Sequence, residues 1–299
     1  MINQVVLAVG HGSRATQSIA EFHQFAADLS RRSERPVSAC FLELADPDMA
    51  TGLVRAATEA GDGGQVIVLP AFLGAAGHQK NDVAAALNWI RGQFPLVRFR
   101  QAAHLGIHAN LVELLDLRIR ETLAAHPDRL PLEETSLLVV GRGSSDPGAN
   151  SEIARLAYLL GENRPYLSAE YAFQAVAHPT LEEAVRRCRR LGASQVMVAP
   201  FLLFSGRVHD DICSVTRQAG EALGLAVLTA PYLGVHPLLT EVAHQRLQDA
   251  ILDRTVMSCD LCKYRFAMAG HENEIGMAQT THHLHGGSAH EEEHGHDHA

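Results

Sequence analysis

The sequence predicts an α/β fold made twice over: two similar domains, each a parallel sheet flanked by helices, followed by a disordered His-rich tail. Three observations carry this expectation. Short β-branched runs alternate with helical stretches of roughly 10–15 residues, the pattern of βαβ units and a parallel sheet. The segment VLAVGHGSR (6–14) recurs as LLVVGRGSS (137–145), and LPAFLGAAGHQKNDV (69–83) as APFLLFSGRVHDDI (199–212). Beyond about residue 256 the composition changes: eight of the eighteen histidines fall within 271–299, among glycines and acids. Such low-complexity sequence has too little apolar surface to form a core.

In the first half, the run Gln4–Val9 reads as a buried strand that ends in the tight turn Gly10-His-Gly-Ser. Ala15–Arg31 has helical periodicity, and Val37–Leu44 is a second strand. Asp46-Pro47 opens a helix that runs to Ala60. Gln65–Pro70 is a third strand, Asp82–Gln93 a helix, Val97–Gln101 a fourth strand and Ala109–Ala125 a helix. The order then repeats. Ser136–Val140 is a strand, Asn150–Leu160 a helix, Ala169–Val176 a strand, and His178-Pro179 precedes a helix to Leu191. Gln195–Pro200, Asp210–Leu223, Ala226–Ala230 and Pro237–Ile251 complete the second set. Even the late elements match, HLGIHANLVELL (104–115) against YLGVHPLLTEVA (232–243). The charged, proline-containing stretch His126–Glu134 is the linker. The expected domains are therefore 1–128 and 135–256, with 257–299 as a separate tail.

A chain of 299 residues suits two domains that each bury a core, and 46% hydrophobic with 20% charged residues is ordinary for a soluble protein. The N-terminus MINQVVLAVG lacks a basic region and a cleavage site, so no secretory signal is expected. No apolar run approaches the roughly 18 residues that would span a bilayer. The net charge is −9, of which the tail 257–299 carries −5 and the body −4. An acidic body speaks against general nucleic-acid binding, which uses a basic face. Lys80 and Lys263 are the only lysines. Arginine suits bidentate carboxylate recognition, although a compositional bias towards arginine accounts for the same count. Five cysteines, an odd and sparse set without a signal, point to a reducing cytoplasm.

Sites in open parallel sheets lie at the carboxyl ends of strands. His11 follows the first strand, Glu43 ends the second and His78 follows the third, so all three are expected at one sheet edge. Two neutral imidazoles and a carboxylate suit a divalent first-row metal, and the imidazoles can accept protons near neutral pH. A lone histidine in a strand-end turn is more simply a local hydrogen-bonding group. The repeat argues otherwise, because the Gly-x-Gly-Ser frame persists while His11 becomes Arg142. Matching Gly77 to Gly206 likewise sets His78 against Arg207. The Gly12–Ser13 turn could cradle a phosphate at a helix N-terminus, but it lacks the spacing of known nucleotide fingerprints. His209, aligned with Lys80 and followed by Asp210-Asp211, is a candidate for a second-half metal site. His104, His108, His178 and His236 sit beside helix starts as caps or cleft lining. Cys40, Cys188 and Cys213 read as small buried hydrophobes. Cys259-Asp-Leu-Cys262 is compatible with a redox pair, half of a zinc site or part of an iron–sulfur cluster. Two thiolates do not complete a four-ligand site, so a second subunit, in a homodimer, or the histidine tail would have to assist. The tail itself is a multivalent chelating surface, too irregular in spacing for an expression tag.

GHGSR near the N-terminus, FLE at 41–43, PAFLGAAGH at 70–78 and a degenerate second copy resemble the class II tetrapyrrole chelatases. The MSCDLC segment (257–262) and the histidine-rich tail narrow the resemblance to the long form of sirohydrochlorin cobaltochelatase. The resemblance spans the whole chain. It implies ATP-independent insertion of Co2+ into sirohydrochlorin in anaerobic cobalamin biosynthesis, in a cleft between two α/β domains. It implies that His11 and His78, with Glu43 as the acid, bind the incoming metal and receive the pyrrole protons. It also implies an iron–sulfur cluster at Cys259 and Cys262. Arg142 and Arg207 depart from the pattern, which places a second active centre in doubt and suggests that they hold substrate carboxylates, with Gly12 and Ser13 lining the same pocket. The iron-inserting enzyme of sirohaem synthesis and a metallochaperone working through its tail are the alternatives.

Overall fold

A computed structural model of the chain describes residues 2–257 and 262–278. Cys259 and most of the His-rich tail lie outside them. Strands β1 (Gln4–Gly10), β2 (Val37–Phe41), β3 (Gln65–Pro70) and β4 (Arg98–Gln101) form a parallel sheet ordered β2-β1-β3-β4. Strands β5 (Thr135–Gly141), β6 (Ser168–Phe173), β7 (Gln195–Pro200) and β8 (Ala226–Thr229) form a second, ordered β6-β5-β7-β8. The registers repeat: Val9 lies opposite Cys40 and Pro70, and Val140 opposite Ala172 and Pro200. The helices are α1 (Thr16–Ser33), α2 (Met49–Ala60), α3 (Val83–Gln93), α4 (Ala109–Ala125), α5 (Pro147–Gly161), α6 (Leu181–Arg190), α7 (Arg207–Leu223) and α8 (Pro237–Ile251). Among the described residues, no helix is long and apolar enough to cross a membrane.

Alternate strand residues point to opposite faces, and here they sort into different cores. Val5, Leu7, Val9, Val66 and Val68 pack outward against α2 and α3. Leu138, Val140, Val196 and Val198 pack outward against α6 and α7. Val6, Ala8, Ile67 and Leu69 instead face Leu137, Val139, Met197 and Ala199 across a shared interior filled by α1, α4, α5 and α8. Within it α8 packs on β3 of the first sheet, and α4 on β7 and β8 of the second. The last helix of each half therefore covers the other half's sheet. Polar contacts repeat this exchange. Arg118 of α4 donates to the Leu233 carbonyl, and Arg246 of α8 to the carbonyls of His104 and Leu105. His108 and His236 cap α4 and α8 by accepting from the Asn110 and Leu238 N–H groups.

Two strands stop short of their expected ends. The reading placed Leu44 in β2 and Val176 in β6, but the strands end at Phe41 and Phe173. Leu44 and Val176 adopt left-handed backbone, φ 62° and 68°, which no strand accommodates. Glu43 thus sits in the loop beyond β2, still at the carboxyl edge of the sheet.

Candidate active site

The site begins with a close approach of two loops. At Gly12 (φ 95°) an added Cβ would stand 1.7 Å from the Glu43 carbonyl oxygen, so only glycine fits. The Leu42 and Glu43 N–H groups donate to the Gly10 and His11 carbonyls at 3.0 and 3.1 Å. This clasp brings His11 Nδ1 to 3.5 Å from Glu43 Oε1. Ser13 Oγ accepts from the Ala15 N–H at the start of α1. The second half repeats the clasp. Gly143 (φ 90°) meets the Ala175 carbonyl, and Gln174 and Ala175 donate to Gly141 and Arg142. Arg142 replaces His11 there, as expected, and Ala175 replaces Glu43.

His78 comes from the loop after β3. Its ring lies edge-on to His11 with centroids 4.7 Å apart, and its Nδ1 is 2.8 Å from Asp82 Oδ2. The backbone from His78 to Asp82 is a single π turn, closed by the Val83 N–H donating to the His78 carbonyl. Between the matched prolines Pro70 and Pro200 and the first buried helical residues Val83 and Ile212, the first half holds one more residue. The π turn absorbs it, as such insertions do at functional sites. This alters the expected pairing of halves. Lys80 N–H donates to Ala76 in the first half, and Asp210 N–H to Gly206 in the second. Ala76 is therefore the counterpart of Gly206, and Gly77, not His78, stands opposite Arg207. The backbone angles agree, since Gly77 is helical (φ −49°) while Gly206 has φ 144°.

His11, Gly12, Ser13, Glu43 and His78 line one wall of a cleft of about 910 Å³ between the halves. Arg142, Arg207 and His209 line the other wall. Arg142 is exposed, and Arg207 is almost fully so, with Asp211 at 3.6 Å. His209 sits edge-on to Tyr232 and 3.7 Å from Cys213 Sγ. Among the described residues, no three His, Cys, Asp or Glu side chains converge on one metal-sized position. The expected ligand trio of His11, Glu43 and His78 is thus arranged differently. Each imidazole has its own carboxylate at Nδ1, Glu43 for His11 and Asp82 for His78. Burial lowers the His11 pKa below its ordinary 6.5. The nearby His78 and Arg142 push the same way, and Glu43 opposes them. His11 therefore stays neutral to lower pH than a free imidazole.

The CbiX family profile matches residues 5–122 and again 136–250. The chain belongs to the CbiX family. A sirohydrochlorin cobaltochelatase from Priestia megaterium is 31% identical over 89% of this chain and 86% of its own length. A sirohydrochlorin ferrochelatase from the same organism is also 31% identical, over 80% of this chain and 88% of its own. Among solved structures, SirB from Bacillus subtilis with Fe3+ superposes with a TM-score of 0.70 at 26% identity, covering 83% of this chain and 95% of SirB.

In this CbiX chain, Asp82 was missed by sequence reasoning, although the His-x-x-x-Asp spacing on a helix was a usable signal. Also missed was the use of both lysines. Lys80 Nζ forms a buried 2.6 Å ion pair with Asp146 across the halves. Lys263 is buried, reaches the Ser145 carbonyl and pairs with Glu274 at 2.6 Å. The two lysines thus hold one loop, the one that follows Arg142. Cys262 is buried beside Lys263, and its expected cluster partner Cys259 lies outside the described residues.

Proposed function

We propose that this chain inserts a divalent metal ion, Co2+ by preference, into sirohydrochlorin without ATP. The observation that carries the reading is the pair of edge-on imidazoles, His11 and His78, each backed by a carboxylate, on one wall of a cleft whose other wall bears exposed arginines. Insertion replaces two pyrrole N–H protons by one M2+ ion, so two protons must leave. A neutral imidazole accepts a proton or holds a first-row metal weakly enough to release it. We assign Nε2 of each ring to these roles. The carboxylate at each Nδ1 fixes the ring's orientation and stabilises its protonated form. Arg142 and Arg207 suit the peripheral carboxylates of the macrocycle. The relatives include cobalt- and iron-inserting enzymes alike, and the preference for cobalt rests on the MSCDLC segment and histidine-rich tail. The sparse cysteines and the N-terminus without a signal support a cytoplasmic enzyme, and the resemblance through the MSCDLC segment supports a cluster at Cys259 and Cys262.

The test is an anaerobic absorbance assay with sirohydrochlorin and Co2+, Fe2+ or Ni2+ in turn. The expected result is enzyme-dependent conversion to the metallated spectrum, fastest with Co2+. Rates equal to the uncatalysed reaction with all three ions would overturn the reading, and a faster rate with Fe2+ would reassign the metal.

A further inference from the structure

The two halves differ in the facing residues of their clasp loops, His11 and Glu43 in one and Arg142 and Ala175 in the other, yet both keep one costly feature. Leu44 follows Glu43 and Val176 follows Ala175 at equivalent places, and both have left-handed backbone, φ 62° and 68°. Residues other than glycine, asparagine and aspartate avoid this region, and a β-branched valine is a clear outlier in it. The conformation is imposed from below. In each half a glycine beneath the loop leaves no room for a Cβ, and three N–H groups tie the loop down. Those are Phe41, Leu42 and Glu43 in one half, and Phe173, Gln174 and Ala175 in the other. A glycine at 44 or 176 would satisfy the same backbone without strain. Both side chains also stand in solvent, Leu44 half exposed and Val176 67% exposed. Both line the cleft, one from each half.

Strain and exposure are two separate penalties, and both fall on residues outside the buried core. They persist at a matched pair of cleft-lining positions, one from each half, where the neighbouring residues Glu43 and Ala175 have diverged. Strained backbone of this kind collects where function retains it. We propose that Leu44 and Val176 are paired apolar lips that grip the flat, conjugated face of the tetrapyrrole, one from each half. This rests on the tetrapyrrole reading above and adds to it the residues that hold the ring plane. The arginines hold the charged rim, and the lips cover the apolar surface, which no polar group of the cleft can bind.

The decisive experiment uses the full-length chain with Leu44→Gly, Val176→Gly, Val176→Asn and Val176→Ile, measuring thermal stability and metal-free sirohydrochlorin affinity by anaerobic fluorescence titration. Glycine and asparagine relieve the backbone, so Tm should be unchanged or higher. Removing the apolar contact should weaken binding about tenfold per side chain. Val176→Ile should keep wild-type affinity. Glycine variants that bind as tightly as wild type would overturn the proposal. A Tm that falls together with affinity would also overturn it, by marking the side chains as structural. Wild-type protein that binds no sirohydrochlorin would sink the tetrapyrrole reading itself, a result distinct from either.

Discussion

The turn after β1 carries His11 against Glu43, and the turn after β5 carries Arg142 against Ala175, on nearly superimposable backbone hydrogen bonds. After β3 the first half inserts a residue and forms a π turn with His78 paired to Asp82. After β7 the second half runs directly into α7. On the proposed reading, the first half exchanges protons and metal and the second presents charge. The scaffold was copied, but only one copy holds two imidazoles in contact. One cleft needs only one such centre, which on the same reading leaves the other wall to hold substrate. The swapped helices α4 and α8 make that division workable, because they weld the walls into one body with a shared core.

The largest effect should come from the imidazoles. His11→Ala or His78→Ala should each lower kcat/KM by about 10²–10⁴-fold in the insertion assay, the range of a lost acid–base group. Both sit at a partly open cleft, so thermal melts should stay close to wild type. If both variants keep near-normal rates, the asymmetry between halves has no catalytic meaning.

Next is the inserted residue. Deleting Asn81 should convert the π turn to an α turn like the second half's, leaving far-UV circular dichroism unchanged. Activity should fall roughly 100-fold, because one residue fewer turns His78 about 100° away from His11. Retained activity would mean that the π turn is incidental.

The glycine clasp separates fold from chemistry. Gly12→Ala and Gly143→Ala meet equally short carbonyl contacts, so each should cost roughly 2–4 kcal/mol in denaturant unfolding. At temperatures where both remain folded, Gly12→Ala should lose far more activity, since it displaces the Glu43 loop from His11. Equal activities would break the comparison.

The smallest effects belong to the arginines. Arg142→Ala or Arg207→Ala should raise KM for sirohydrochlorin roughly tenfold with little change in kcat, as expected for uniform binding. Arg142→Ala should also shift the pH profile. On the proposed mechanism neutral His11 is the competent form, so activity should fall as pH drops through its pKa, which lies below 6.5 in the folded chain. Removing a positive charge lets that pKa rise, moving the acidic limb of kcat/KM to higher pH. An unmoved limb would separate Arg142 from His11.

The sequence by itself determined the duplication, the eight strands and eight helices, the strand-end position of His11, Glu43 and His78, and the replacement of His11 by Arg142. These follow from local patterns, namely hydrophobic period, turn glycines and a repeat that aligns along strands. Tertiary structure alone decided the rest. Matching glycines paired His78 with Arg207, but a helix absorbs an inserted residue by changing its hydrogen-bond spacing, which sequence similarity does not register. Leu44 and Val176 look like strand residues because leucine and valine favour extended backbone. Only the loop packed against Gly12 or Gly143 forces them left-handed. Asp82 as the partner of His78 is a four-residue contact within the turn, legible from spacing alone. Lys80 reaching Asp146 across the halves, and the exchange of α4 and α8, depend instead on contacts between segments far apart in the chain, where no local propensity acts.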